Sequence, residues 1–230
     1  MDEPKKAKLG LLLLAGIISA AAALLVFGWL AEEALEADTN RFDEVVRNSI
    51  HQFASPPLTS LMQVVTLLGS LGVLVAVSVV AIILFLHFHR PRPATLLALT
   101  MAGAVLLDVV LKHAFHRARP AAFFGTSPIS YSFPSGHALG SLCFYAAWAA
   151  ILSARTSSRT TRWLIWSVAA LLVGLIGFSR IYLGVHYPSD VIAGYCAALV
   201  WMGAIAVVEG ILRSRVTKGP EPSANTSKSP

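Results

Sequence analysis

From Trp163 to Leu212 the chain reads WLIWSVAALLVGLIGFSRIYLGVHYPSDVIAGYCAALVWMGAIAVVEGIL. Two apolar runs flank a short stretch that holds Arg180, His186 and Asp190. A helix needs about 20 residues to cross the hydrocarbon core of a bilayer, and each run is close to that length. Past Asp190 the second run carries one charge, Glu209, near its far end, where a long side chain can snorkel to the interface. Apolar runs this long and this poor in charge read as membrane spans. The stretch between them therefore lies at a membrane surface, where ionisable residues are costly and usually functional.

The same pattern recurs along the chain. Spans are expected at about 10–30, 67–87, 94–113, 137–154, 163–180 and 190–212. The second starts indistinctly: Leu58 to Leu68 is also apolar, and Gly69 and Gly72 interrupt it. Either one long tilted helix or an interfacial turn followed by a span fits. The composition, 56% hydrophobic and 13% charged over 230 residues, excludes an ordinary soluble domain, which is nearer a quarter charged. The expected fold is all-α, a six-transmembrane helix bundle. Residues 1–9 form an N-terminal segment, 10–217 the membrane domain, and 218–230 a Pro/Ser/Lys-rich tail expected to be disordered. The apolar run from Leu9 to Leu30 is longer than a signal-peptide core, so the first span is expected to be retained. Cys143 and Cys196 fall inside spans and read as packing residues.

The net charge of +6 is distributed by side. Lys5, Lys6 and Lys8 precede span one, Arg90 and Arg92 separate spans two and three, and Arg155, Arg159 and Arg162 separate spans four and five. Arg213, Arg215 and Lys218 follow span six. Loops rich in Lys and Arg stay in the cytoplasm, so both termini are expected there. The excess charge is a topology signal, and no aromatic-interleaved basic patch suggests nucleic acid.

Between spans one and two, Phe42, Val45, Val46, Ile50 and Phe53 recur at near-helical spacing after Asn40, an N-cap residue. Asp43, Glu44, Arg47 and Asn48 take the opposite face. This reads as a short interfacial amphipathic helix on the outer surface, either flanking a lipid entrance or capping the bundle.

Span parity then ties three polar stretches together. With the N-terminus inside, Lys112 to Pro120 (KHAFHRARP), Pro134 to His137 (PSGH) and Ser179 to Asp190 (SRIYLGVHYPSD) all fall on the external face. Lys112, Arg119 and Arg180 offer cations of the kind that offset charge on a phosphoryl group. Ser135 and Gly136 stand at a helix start, where free amides face an anion and glycine permits close approach. Asp108 lies one helical turn before Lys112 and reads as the partner that holds it.

His186 and Asp190 are four apart. A carboxylate on one ring nitrogen sets the tautomer and frees the other nitrogen to attack, which points to His186 as nucleophile and Asp190 as its orienter. His137 is then the group that protonates the leaving oxygen and activates water. His113 and His116 read as surface packing, and His51, His87 and His89 as interfacial. Three neighbouring cations repel a divalent ion, and no zinc-binding pattern is present, so no metal and no cofactor are expected. The rings of Phe123, Phe124, Tyr131 and Phe133 read either as a rim for a headgroup or as an interfacial belt.

These motifs resemble those of the type 2 phosphatidic acid phosphatase family, which shares its site with the vanadium haloperoxidases. Lys112 and Arg119-Pro120 fit the first family element, Pro134-Ser135-Gly136-His137 the second, and Ser179-Arg180, His186 and Asp190 the third, without departure. The motifs take in about a third of the chain, and the six spans extend the likeness to nearly all of it. The resemblance implies a metal-independent phosphatase with a transient phosphohistidine, acting on lipid phosphates or lipid pyrophosphates reached from the membrane. Undecaprenyl pyrophosphate, phosphatidylglycerol phosphate, phosphatidic acid and phosphorylated lipid A are the candidate substrates. A lipid phosphotransferase using the same phosphohistidine is the alternative. The expected place is a bacterial plasma membrane with the site facing outward.

Overall fold

The computed structural model describes residues 3–35, 41–125 and 128–217, with side chains from Leu14 to Ile211. Among these residues every regular element is a helix: α1 (Glu3–Leu35), α2 (Arg41–His51), α3 (Pro56–Leu67), α4 (Leu71–His87), α5 (Pro91–Phe115), α6 (Gly136–Ser153), α7 (Arg159–Tyr182) and α8 (Pro188–Thr217). Five of them, α1 and α5 to α8, are long and apolar enough to cross a bilayer. The bent pair α3 and α4 passes the same test together, so the spans number six if that pair crosses as one. The Asn40 cap, the tail from Lys218 to Pro230, and the side chains of Lys5, Lys6, Lys8, Arg213 and Arg215 lie outside the described residues.

α6 is the central helix, packed by α4, α5, α7 and α8, while α1 runs along α8. Leu97 and Ala104 of α5, Leu139 and Cys143 of α6, and Ala198 of α8 are fully buried at the centre. Small residues allow the helices to approach closely, as expected where lipid supplies no hydrophobic drive. Gly103 lies under the Trp201 ring, and a side chain at Gly203 would meet Ala20 of α1. Leu25, Val80, Ile83, Leu106 and Leu171 point outward as an apolar belt, which suits a surface solvated by acyl chains.

The indistinct second run is broken into two helices. α3 and α4 meet at 43° across Leu68, Gly69 and Ser70. The amides of Gly69 and Ser70 close short turns onto the carbonyls of Thr66 and Leu67, both at 3.1 Å. A Cβ at Gly69 would overlap Ile176 of α7. The break turns Thr66 toward α7, where its hydroxyl accepts from Arg180.

The amphipathic helix after span one is present as α2, but its polar face is divided: Glu44 and Asn48 are exposed, whereas Asp43 and Arg47 find partners inside the fold. Asp43 is fully buried, and Arg47 is turned inward to donate to the carbonyls of Ala121 and Gly184. Phe42 and Val45 of the apolar face are exposed as well. A carboxylate and a guanidinium with partners waiting inside the fold outweigh the pattern that hydropathy alone suggests.

Candidate active site

Four helix ends meet at one end of the bundle. The C-terminus of α5 brings Lys112, the N-terminus of α6 brings Ser135, Gly136 and His137, the C-terminus of α7 brings Arg180, and the N-terminus of α8 brings Asp190. The loop after α5 adds Arg119, and the turn between α7 and α8 adds His186. Backbone bonds fasten these pieces: Ser135 N–H donates to Asp190 O at 2.9 Å, and Phe123 N–H donates to Leu183 O at 3.1 Å. The turn needs Gly184, whose φ is +75° and whose missing Cβ would lie 2.6 Å from Phe123 N. All the residues singled out from the sequence are thus brought to one place.

His186 is 1% exposed. Its Nδ1 lies 3.4 Å from Asp190 Oδ2, and its Nε2 lies 2.9 Å from an Arg119 guanidinium nitrogen. Arginine only donates, so Nε2 accepts, and the ring is neutral with its proton on Nδ1, facing Asp190. Burial lowers the His186 pKa most; Asp190 opposes this, while Arg119 and Arg180 push it down further, to about 4. The ring therefore holds an unprotonated Nε2 among cations at neutral pH.

Asp190 is saturated with donors. Oδ2 accepts from the Ser132 hydroxyl and from Tyr187 N–H at 2.8 Å, and Oδ1 accepts from Arg117 at 2.7 Å. Arg119 is held open as a fork. Its Nε donates to Ser130 O at 2.6 Å, and the nitrogen that faces His186 also donates to Val185 O at 2.8 Å. Burial lowers the Arg119 pKa, with Asp190 and Asp108 opposing.

Lys112 pairs with Asp108 at 2.8 Å. A Cβ on Gly136 would fall on that same carboxylate, so glycine is required there for packing as well as for approach to an anion. Arg180 donates to Thr66 Oγ1 at 2.6 Å, while its Nε is buried with no partner among the described residues. Ser135 Oγ is likewise buried and without a partner. His137 lies within electrostatic reach of Arg180, His186, Lys112 and Arg119. A buried hydroxyl and a buried guanidinium nitrogen left unsatisfied beside three cations form a site shaped for an anion with several oxygens.

Sequence reasoning missed four residues here: Asp43, Arg117, Ser132 and Ser189. By local pattern Arg117 is only one more charge within the Lys112 to Pro120 stretch, and Asp43 lies on the polar face of the amphipathic helix. Neither carries a local signal, because their partners lie 74 and 146 residues away. The loop aromatics divide by role. Phe133 is fully buried against Phe27 and Phe115, so it belongs neither to a rim nor to a belt. Phe123 lies between Arg47 and His51, Phe124 stacks on Tyr182, and Tyr131 meets the edges of His113 and His116.

The model of the PAP2 superfamily matches residues 93–212. The chain belongs to the PAP2 superfamily. It is 28% identical over 159 residues to phosphatidylglycerophosphatase B of Bacillus subtilis, a match covering 69% of this chain and 78% of that relative. To the undecaprenyl-diphosphatase of Sulfolobus acidocaldarius it is 32% identical over 131 residues, covering 54% of this chain and 59% of the relative. Among solved structures, a transmembrane PAP2-type phosphatidylglycerolphosphate phosphatase from Bacillus subtilis superposes with a TM-score of 0.74 at 27% identity. That match covers 85% of this chain and 96% of the other. This PAP2 protein is an integral membrane protein, and the relatives named here are phosphatases of lipid substrates.

Proposed function

We propose that the protein hydrolyses a lipid phosphate or lipid diphosphate through a phosphohistidine on His186. The observation that carries this reading is the neutral His186 ring, with Nδ1 toward Asp190 and Nε2 opening onto Arg119. The substrate phosphate draws Arg119 off Nε2 and settles among Lys112, Arg119, Arg180, the Gly136 amide and the Ser135 hydroxyl, unpartnered among the described residues. Nε2 then attacks phosphorus in line as the P–O bond to the leaving group breaks. Asp190 stabilises the charge that develops on the ring. His137, protonated once the phosphate anion lies beside it, gives that proton to the departing oxygen, then takes one from water as that water attacks the phosphohistidine. Inorganic phosphate leaves, and Nε2 is free again.

Lipid phosphates are favoured as substrates by the membrane-spanning helices around the site and by the substrates for which the relatives are named. Phosphatidylglycerol phosphate is the first candidate, supported by the greater coverage of the Bacillus relative, and undecaprenyl diphosphate the second. The distribution of Lys and Arg supports cytoplasmic termini and a site on the outer face. The test is phosphate release by the detergent-purified protein and by His186→Ala, with EDTA present, over phosphatidylglycerol phosphate, undecaprenyl diphosphate, phosphatidic acid and lipid A. Release by the wild type alone is expected. Release by His186→Ala at the wild-type rate, or loss of wild-type activity in EDTA, would overturn the reading.

A further inference from the structure

Asp190, the carboxylate that orients His186, is itself held by a buried chain of charges that begins on a different helix. The geometry points to Asp43 and Arg117 as positioning residues that fix the Asp190 carboxylate, and through it His186, to helix α2. This inference rests on the phosphohistidine reading above.

Asp43 and Asp190 are both fully buried, and Arg117 lies between them. One terminal nitrogen of Arg117 donates to Asp190 Oδ1 at 2.7 Å and to Ser189 Oγ at 2.8 Å. The other donates to Asp43 Oδ2 at 3.0 Å. The guanidinium rests on the Tyr187 ring, 4.4 Å from its centroid. Asp43 in turn accepts from Ser189 N–H at 2.8 Å and from the Ser189 hydroxyl. Ser189 stands in the first turn of α8 just after Pro188, so Asp43 caps from another helix an amide that lacks an intrahelical partner.

Each contact has a consequence for His186. Among the described residues Arg117 is the one donor on Oδ1, whereas Oδ2 is shared by Ser132, Tyr187 N–H and His186. Arg117 therefore sets the rotation of the carboxylate and keeps Oδ2 turned toward Nδ1. It also keeps the carboxylate charged. A carboxylate taken fully out of water favours its protonated form unless a cation is near. Burial opposes the charge on Arg117, but Asp190 and Asp43 outweigh it and raise its pKa. Asp43 is needed because a guanidinium anchored at one end can pivot; anchored at both, it cannot. Removing a group that orients a metal ligand from the next layer out costs about 10–100-fold in affinity or activity, and by analogy a loss of that order is expected here.

The test is a double-mutant cycle on phosphate release. Arg117→Met is expected to lower kcat about 100-fold while KM for the lipid moves less than about threefold. Arg117→Lys, which keeps one charge contact but not the fork, should recover part of that loss. In an Asp190→Asn background, Arg117→Met should cost nothing further, because its effect passes through Asp190. Asp43→Asn, which keeps shape and the Ser189 amide bond, should lower kcat about 10-fold without a change in KM. It also decides the matter should Arg117→Met fail to fold. Wild-type kcat in Asp43→Asn, or losses that add in the Asp190→Asn background, would overturn the inference. His186→Ala run alongside separates the two levels. An inactive His186→Ala with fully active Asp43 and Arg117 variants defeats this inference alone, whereas an active His186→Ala defeats the mechanism beneath it.

Discussion

The Arg119 guanidinium donates to Nε2 of His186 at 2.9 Å, on the side of the ring away from Asp190. One donor-only group on Nε2 and one acceptor-only group near Nδ1 specify a single neutral tautomer. Burial, with Arg119 and Arg180 adding to it, brings the His186 pKa down to about 4 despite Asp190. A base with a lowered pKa is unprotonated over a wider range, so His186 stays ready to attack at any pH above about 4. In the protein labelled with ¹⁵N-histidine, His186 should show the Nδ1–H neutral form from pH 8 to near pH 4. A midpoint near the ordinary histidine value of about 6.5 would contradict this.

Arg119 also makes three bonds to Ser130 and Val185, so its fork is held in place before substrate arrives. Losing one preorganised donor to transition-state charge costs about 10²–10³ in kcat. Arg119→Ala should show a loss of that size. Arg119→Lys should fare little better, because an ammonium cannot hold both the loop and the phosphate through a planar fork. Steady-state kinetics on the lipid substrate decides; a wild-type rate for Arg119→Lys would remove the fork from the account.

Asp190→Asn leaves the shape of the dyad while removing the charge and an acceptor for His186. By analogy with the serine-protease triad, kcat should fall by about 10⁴. Stopped assays of phosphate release measure it, and a loss below about tenfold would mean that the His186 tautomer is set elsewhere.

Gly136→Ala puts a methyl group where the Asp108 carboxylate lies. Overpacking of this kind costs about 1–3 kcal/mol, and here it also moves the partner of Lys112. Thermal unfolding in detergent should register a lower Tm for Gly136→Ala. Adding Asp108→Ala should restore the Tm but not the activity. Unchanged stability in the single variant would show that the helix ends shift freely.

The bundle was legible from Trp163 to Leu212 outward because long charge-free runs have one reading at a membrane. The residues around His186 were legible because their spacing is local: His186 and Asp190 are four positions apart, and Ser135 and Gly136 stand together at a helix start. Asp43 was not legible. On hydropathy alone it belongs to the wet side of α2, and only the arrival of Arg117 and Ser189 makes an interior position tolerable. Phe133 shows the converse, a loop aromatic drawn inward by Phe27 and Phe115. The break at Gly69 depends on Ile176, more than a hundred residues later. In each case a partner distant in sequence decides, and periodicity cannot report it.

The most direct test of the central claim is to trap the phosphorylated enzyme. Lipid labelled with ³²P in its terminal phosphate would be mixed rapidly with wild type, His137→Ala and His186→Ala, then quenched in alkali, where phosphohistidine survives. The expected result is label on the peptide that contains His186. In His137→Ala it should form more slowly, because the leaving oxygen is no longer protonated, and decay more slowly, because water is no longer activated; it should be missing from His186→Ala. Free phosphate formed at full rate with no label on His186 at any time would mean that water attacks the lipid directly, and would contradict the mechanism.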